Sequence, residues 1–259
     1  MRRGRLRLMM RRAAPVLALL LAMTAGCGGT LHEEAGGGAA DFGRAKAAYD
    51  RGDWVEASLD FKAYVEQYPG TDRTDDALFY LGMSYFKSKD DALASAQFDR
   101  LTRDFPQSPF APDAMFYLAR CDDILSRPAL LDQTETLRAI DRFKQFLELY
   151  PESPNAPEAK KRLATLVDRL AEKRFRAGRL YAKLSHRPAA EVCLGEVLKE
   201  YPQSRWSGDA AVLLAELLLK DGKREEAIAV LRQVPPEATS AAKERAREQL
   251  RSLGVAQAP

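Results

Sequence analysis

From Asp41 onward, apolar side chains recur along this chain at helical rather than strand spacing, and the arrangement repeats. The first cycle is marked by Ala45, Gly52, Ala57, Phe61 and Pro69, with Tyr49 and Trp54 beside them. The second runs through Leu78, Leu81, Gly82, Tyr85, Ala94, Phe98 and Pro106. The third gives Met115, Leu118 and Ala119, then about eight extra loop residues, then Ala139, Phe143, Phe146 and Pro151. Leu214, Ala215, Leu218, Gly222, Ala227 and Leu231 form the last. Each cycle predicts two antiparallel helices, with small residues where backbones approach and aromatics filling the space between neighbouring pairs.

Four aromatic-proline marks punctuate the cycles: Tyr68-Pro69, Phe105-Pro106, Tyr150-Pro151 and Tyr201-Pro202, with prolines 37, 45 and 51 residues apart. Ser108, Ser153 and Ser204 follow two residues after three of them, and Thr71 after the first. Proline stops a helix and Ser or Thr can cap the next, so each mark is expected to be a helix-to-helix junction. Periods of this size mean a stacked array. The spacing is that of the tetratricopeptide pattern, and the fold expected is an all-α, right-handed solenoid of about five helix pairs over 41–253. The fourth unit departs from it. Pro157 to Lys183 keeps a helical stripe (Leu163, Leu166, Val167, Leu170, Phe175) far longer than one repeat helix, predicting two helices run together or sharply bent. Ser240 to Leu253 reads as a charged end-cap, and 254–259 as a disordered tail.

The N-terminus has a different grammar. Met1 to Arg12 is cationic, Ala13 to Met23 is apolar apart from Pro15, and Thr24-Ala25-Gly26 precede Cys27. Basic, apolar and small segments in that order form a secretory signal peptide over 1–26, too short in its apolar part to span a bilayer. Ala25-Gly26-Cys27 is similar to a bacterial lipobox, in which the cysteine is acylated; the competing reading is plain secretion with cleavage beside an incidental cysteine. Residues 27–40 are Gly-rich and expected to be a flexible spacer. Gly28 after the cysteine implies, by that resemblance, the outer membrane.

Composition narrows the chemistry. With 46% hydrophobic and 30% charged residues, the 259-residue chain is neither a disordered tail nor a multi-span membrane protein. Its formal +3 depends on six arginines in the leader. Without them 34 basic side chains stand against 37 acidic ones, a balance that argues against nucleic acid as partner. His32 and His186 form no pair at metal-ligand or triad spacing, and no nucleophile, base and orienter set is recognisable, so no catalytic residue, metal or cofactor is expected. Cys121 and Cys193 read as buried free thiols, with a disulfide in an oxidising compartment as the alternative. Asp75-Asp76, Asp90-Asp91 and Asp122-Asp123 read as solvated turns or caps.

The tetratricopeptide register assigns groove positions to Phe42, Lys46 and Tyr49, then Asp76, Phe79, Met83 and Phe86, then Asp113, Phe116, Arg120 and Asp123. A groove lined by rings suits an extended, aromatic-bearing peptide, with Arg120 or Lys46 able to meet a carboxylate. The opposing reading packs some of these rings into the core.

Lipobox, glycine-rich spacer, five tetratricopeptide-like units and the Tyr-Pro-x-Ser marks together resemble the BamD family, lipoproteins of the outer-membrane β-barrel assembly machine. Ala159-Lys160-Lys161-Arg162-Leu163, Asp168-Arg169-Leu170-Ala171-Glu172 and Leu198-Lys199-Glu200-Tyr201-Pro202 carry the likeness. It implies a non-catalytic scaffold, lipid-anchored in the outer membrane and facing the periplasm. Its N-terminal repeats would recognise unfolded outer-membrane proteins. The helix from Ala189 to Lys199 and the last repeat would dock a POTRA-containing barrel subunit. Cys193 stands where the family commonly has a polar or basic residue, so the docking contacts do not transfer one by one. A tetratricopeptide adaptor of envelope constriction or peptidoglycan synthesis, similar to CpoB-type proteins, is the alternative. An accessory subunit of a secretion or polysaccharide export complex would share the same fold.

Overall fold

The computed structural model describes residues 37–255; Cys27, His32 and the tail 256–259 lie outside them. Among the described residues there are eleven helices and no strand. They are α1 (Gly37–Arg51), α2 (Trp54–Gln67), α3 (Thr74–Lys87), α4 (Asp91–Asp104), α5 (Ala111–Leu125) and α6 (Thr134–Leu149). α7 (Ala156–Lys183), α8 (Arg187–Glu200), α9 (Ser207–Lys220), α10 (Arg224–Arg232) and α11 (Ser240–Ser252) complete the set. These make five antiparallel pairs and a closing helix, as the repeat pattern predicts.

Each aromatic-proline mark ends the second helix of a pair. Tyr68, Phe105, Tyr150 and Tyr201 are the C-caps of α2, α4, α6 and α8, and each backbone N–H donates to the carbonyl four residues back. The proline that follows cannot continue the helix. The Ser or Thr beyond it is not the N-cap of the next helix, as the sequence suggests. It stands two residues before that N-cap, and at the three serines its amide and carbonyl close two consecutive turns: Ser108 N–H donates to Phe105 O and Ala111 N–H to Ser108 O, both at 3.0 Å. Ser108 Oγ accepts from Phe110 N–H at 3.1 Å, satisfying the bend rather than the helix.

Within the pairs the turn is built differently. Gly52, Lys89, Ser185 and Gly222 all have positive φ (83°, 70°, 60° and 77°). The next residue's N–H reaches back to the carbonyl five before it, in α1, α3, α7 and α9. This is a Schellman closure. Gly52 and Gly222 adopt it freely, whereas Lys89 and Ser185 do so against a cost of about 1–2 kcal/mol. The α5–α6 pair instead carries the inserted loop, 126–133, wrapped around one side chain. Gln133 Nε2 donates to the carbonyls of Pro128, Leu131 and Asp132 at 2.9–3.1 Å, and its Oε1 accepts from Thr136.

Small residues mark the helix crossings. A Cβ on Gly82 of α3 would lie 2.7 Å from the Phe98 ring of α4, and one on Gly178 of α7 would lie 2.8 Å from Leu194 of α8. A Cβ on Gly208 of α9 would lie 2.5 Å from that of Ala238, just before α11. The core forms three abutting clusters. One spans α1–α5 around Phe61, Phe98 and Leu101, one spans α5–α7 around Phe143 and Phe146, and one spans α7–α11 around Phe175, Leu194 and Leu231.

α7 joins the last two. Against the expectation of two helices or a sharp bend, it is one continuous helix of 28 residues. Nothing after Pro157 in its first turn removes a backbone donor, and Gly178 serves the crossing with α8 rather than a break. Leu166 and Leu170 pack with the third pair and Ala171 and Phe175 with the fifth. At the other end, α1 begins at Gly37 and takes in the last four residues of the expected spacer. Gly38 lies against the Tyr68 ring, and Tyr68 donates a 3.0 Å hydrogen bond to Asp41. The closing helix α11 buries Ala242 and Ala246, packs Leu250 against the same cluster and turns most of its charged residues to water, as an array end requires.

Candidate functional site

The first helices approach one another directly along the array (α1 with α3, α5 with α7, α7 with α9), so they line its inner curve. On α1, α3 and α5 this inner surface is aromatic. The structure divides the residues predicted to line it into two groups. Phe42, Phe79, Met83 and Phe116 are buried. Phe42 meets Phe61 and Tyr64 edge-on, Phe79 stacks on Phe110 at 4.5 Å, and Phe116 packs against Phe143 and Phe146. These rings form the wall between repeats, because a large apolar ring one position off the open face gains more by filling an inter-repeat gap than by facing water. Lys46, Tyr49, Phe86 and Arg120 are half-exposed.

Two further rings belong with the second group. Tyr80 lies 5.0 Å from Tyr49, and Tyr117 lies 5.1 Å from Phe86. Each directly follows a buried phenylalanine, in the dipeptides Phe79-Tyr80 and Phe116-Tyr117. The signal in the sequence is the phenol: of two adjacent rings, the one with a hydroxyl is the one that keeps contact with water. The result is two cation–ring clusters. Lys46 Nζ stands over the rings of Tyr80 at 5.0 Å and Tyr49 at 5.8 Å, and the Arg120 guanidinium stands 5.6 Å from Phe86 and 5.8 Å from Phe116. Half-burial holds the hydroxyls of Tyr49 and Tyr117 protonated, above the ordinary tyrosine range.

The two cations differ. Lys46 is already paired with Asp50 at 2.5 Å. Arg120 has no carboxylate within ion-pair distance among the described residues, and its Nε is buried without a hydrogen-bond partner. Burial, and then the nearby Arg162, lower its pKa, yet an arginine stays charged. Three of the acids around it are engaged elsewhere, while a fourth, Asp91, leaves its buried Oδ1 without a hydrogen-bond partner and makes no ion pair with the guanidinium. Asp123 and Glu158 hold Arg162 at 2.6 and 2.7 Å, and Asp113 accepts from Asn155 at 2.7 Å.

Asp122, expected in a solvated turn, is instead 1% exposed within α5 and accepts from Arg138 (3.0 Å) and Arg142 (2.7 Å) of α6. Cys121 and Cys193 are both free and buried. Burial pushes the Cys121 thiol up to about 12. An acid whose folded pKa lies above its unfolded one holds its proton longer in the fold, so between pH 9 and about 12 rising pH favours unfolding. At pH 8 Cys121 is therefore expected to resist maleimide in the native protein and to react once urea unfolds it, located by peptide mass spectrometry. Labelling at the rate of an exposed thiol would contradict its burial. Among the described residues no acid, histidine and cysteine cluster could hold a metal, and no helix is long and apolar enough to cross a membrane.

Comparison with known proteins places this architecture. The sequence pattern of the outer membrane lipoprotein family YfiO matches residues 39–230, most of the chain. The chain belongs to this family. Relatives described as outer membrane protein assembly factor BamD include two from Xylella fastidiosa. Strain Temecula1 gives 29% identity over 188 residues (68% of this chain, 63% of that one), and strain 9a5c gives 29% over 224 (78% and 74%). The factor from Caulobacter vibrioides is 27% identical over 178 residues (69% and 58%). The chain thus spans 58–74% of the length of these relatives. Solved tetratricopeptide structures align over most of it with low scores. One from Parabacteroides merdae has 16% identity and TM-score 0.39 over 84% of this chain and 92% of that one. The TPR2AB domain of yeast Sti1 in complex with pHSP90 has 13% and 0.42 over 83% and 84%. The YfiO family match bears out the resemblance to BamD.

Proposed function

We propose that this YfiO-family protein is a non-catalytic scaffold in outer-membrane protein assembly, attached to the outer membrane through an acylated Cys27 and facing the periplasm. Its inner surface over α1, α3 and α5 holds extended segments of unfolded outer-membrane proteins. α8 and the last pair dock a POTRA-containing barrel subunit. The observation that carries the reading is the arrangement around Arg120. A guanidinium without a carboxylate, framed by Phe86 and Phe116 and close to Tyr117, on the inner curve of a repeat array, suits an aromatic segment that brings its own acid. Lys46, neutralised by Asp50, contributes a ring-capping cation rather than a binding charge.

The test is an aromatic peptide in two forms, with one glutamate or with glutamine in its place, titrated by fluorescence anisotropy. Wild type is expected to prefer the glutamate form about tenfold, and Arg120→Met to bind both alike at the weaker level. Equal binding of both peptides by wild type would remove Arg120 from the reading. In cells, depletion should lower the levels of outer-membrane barrel proteins, and a tagged chain should recover a POTRA-containing subunit from membrane extracts. A constriction defect alone would point to the adaptor class instead.

A further inference from the structure

Two aliphatic side chains on the outer helix of the first pair are left in water with no packing role. Val55 is 68% exposed and Leu59 64% exposed. They sit one turn apart on the same side of α2. With Gly52, Asp53, Trp54 and Glu56 they line an open cleft of about 750 Å³. Trp54 is held at its edge by an edge-on contact with Tyr49 and by the left-handed Gly52 beside it. The neighbouring charges share one cation: Arg51 pairs with Asp53 at 2.9 Å and with Glu56 at 3.2 Å, which leaves the rim with an excess of one acid.

We propose that this cleft is a membrane foot, in which Val55, Leu59 and the Trp54 ring insert into the headgroup boundary of the lipid surface carrying the Cys27 anchor. The proposal rests on the reading of Cys27 as acylated. Chain length makes the two contacts compatible. The ten peptide steps from Cys27 to Gly37 reach at most about 35 Å, and α1, which separates Gly37 from the foot, is only about 22 Å long. Anchor and foot can therefore touch one surface at once. The exposed leucines of the inserted loop, Leu130 and Leu131, stand two pairs further from the tether. A tryptophan beside aliphatics is the composition of an interfacial contact. Because the rim offers no free cation and one acid in excess, the surface favoured is a zwitterionic rather than an anionic one, and the contact rests on the apolar side chains. Two-point attachment would fix how the inner curve is presented to arriving chains, which a single tether would leave free to swing.

The experiment uses the full acylated chain carrying Trp206→Phe, which leaves Trp54 as the only tryptophan of the two in the sequence. It is bound to phosphatidylethanolamine–phosphatidylcholine vesicles with or without bromine on the acyl chains. The expected result is that Trp54 emission shifts to the blue and is roughly halved by the brominated lipid, equally at low and high salt. Adding Val55→Asp and Leu59→Asp should abolish the quenching while the protein still floats with the vesicles. If the protein floats but Trp54 is never quenched, the foot is overturned and the anchor stands. If it does not float at all, the anchor reading fails and the foot with it. Quenching that disappears at high salt would also overturn the proposal, since it would show an electrostatic contact.

Discussion

Truncating Phe98 to alanine is expected to destabilise the amino-terminal half of the array by about 3–5 kcal/mol. Its ring is fully buried in α4, fits over the bare backbone of Gly82, and lies 6.2 Å from Phe79 and 5.7 Å from Tyr117. Alanine there leaves a cavity walled by rings that are themselves fixed. The complementary change, Gly82→Ala, should cost about 1–3 kcal/mol, even though alanine is the better helix former by about 1 kcal/mol. The added Cβ would stand 2.7 Å from a ring that has nowhere to go. The pair Gly82→Ala with Phe98→Leu should recover part of that loss, because the two changes share one space. Urea titration followed by circular dichroism measures the sizes. Amide exchange locates them, since in an array each pair feels only its neighbours: protection should fall in α3–α5 and stay unchanged in α9–α11. A uniform loss across all helices, or no penalty for Gly82→Ala, would show that the crossing is not the tight point described.

Much of the fold could be read from the sequence because its signals are local. An aromatic followed by proline ends a helix whatever surrounds it, and the spacing of Gly82 and Phe98, or of Gly178 and Leu194, follows from two helices crossing. The turns within pairs were half visible. Gly52 and Gly222 announce a left-handed residue, but Lys89 and Ser185 occupy the same conformation with side chains that do not favour it, so only the repeat register reveals them. The continuous α7 was not legible because a stripe of period 3.6 looks the same in one long helix and in two joined ones. The surface was the least legible part. Phe79 and Tyr80 differ by about 100° around α3, and a register error of one residue exchanges wall for lining. Arg120 was among the residues named, but its lack of a partner depends on Asp123 and Glu158 being taken by Arg162, from a helix that begins 36 residues later. Pairing choices of that kind are tertiary facts.

Replacing Asp122 by alanine should cost about 2–4 kcal/mol and act at a distance on the candidate site. The third pair lacks the tight closure of the others, its helices being joined by eight loop residues, and Asp122 supplies the missing link from α5 to two arginines of α6. Without the carboxylate, Arg142 keeps only Asp99 at 3.7 Å and Arg138 only Glu135 at 3.9 Å, both at the limit of an ion pair. Both arginines reach solvent, which holds the cost below that of stranding a fully buried charge. Asp122→Asn, which keeps the shape and one acceptor, should cost less than Asp122→Ala. α5 carries Tyr117 and Arg120 on its inner side and Phe116 and Asp122 against α6, so loosening α5 against α6 shifts the guanidinium relative to Phe86 on α3. The alanine variant should therefore lose most of the glutamate-over-glutamine preference in the peptide titration while its overall helix content, at a temperature below unfolding, stays native. It should also be cut faster by protease in 126–133, where the loop otherwise holds to α7 through Arg169 to Ser126 and Lys173 to the Leu131 carbonyl. A stability change under about 0.5 kcal/mol would show that burial of the acid merely offsets its two hydrogen bonds. Full retention of the preference would show that α3 and α5 hold the site without help from α6.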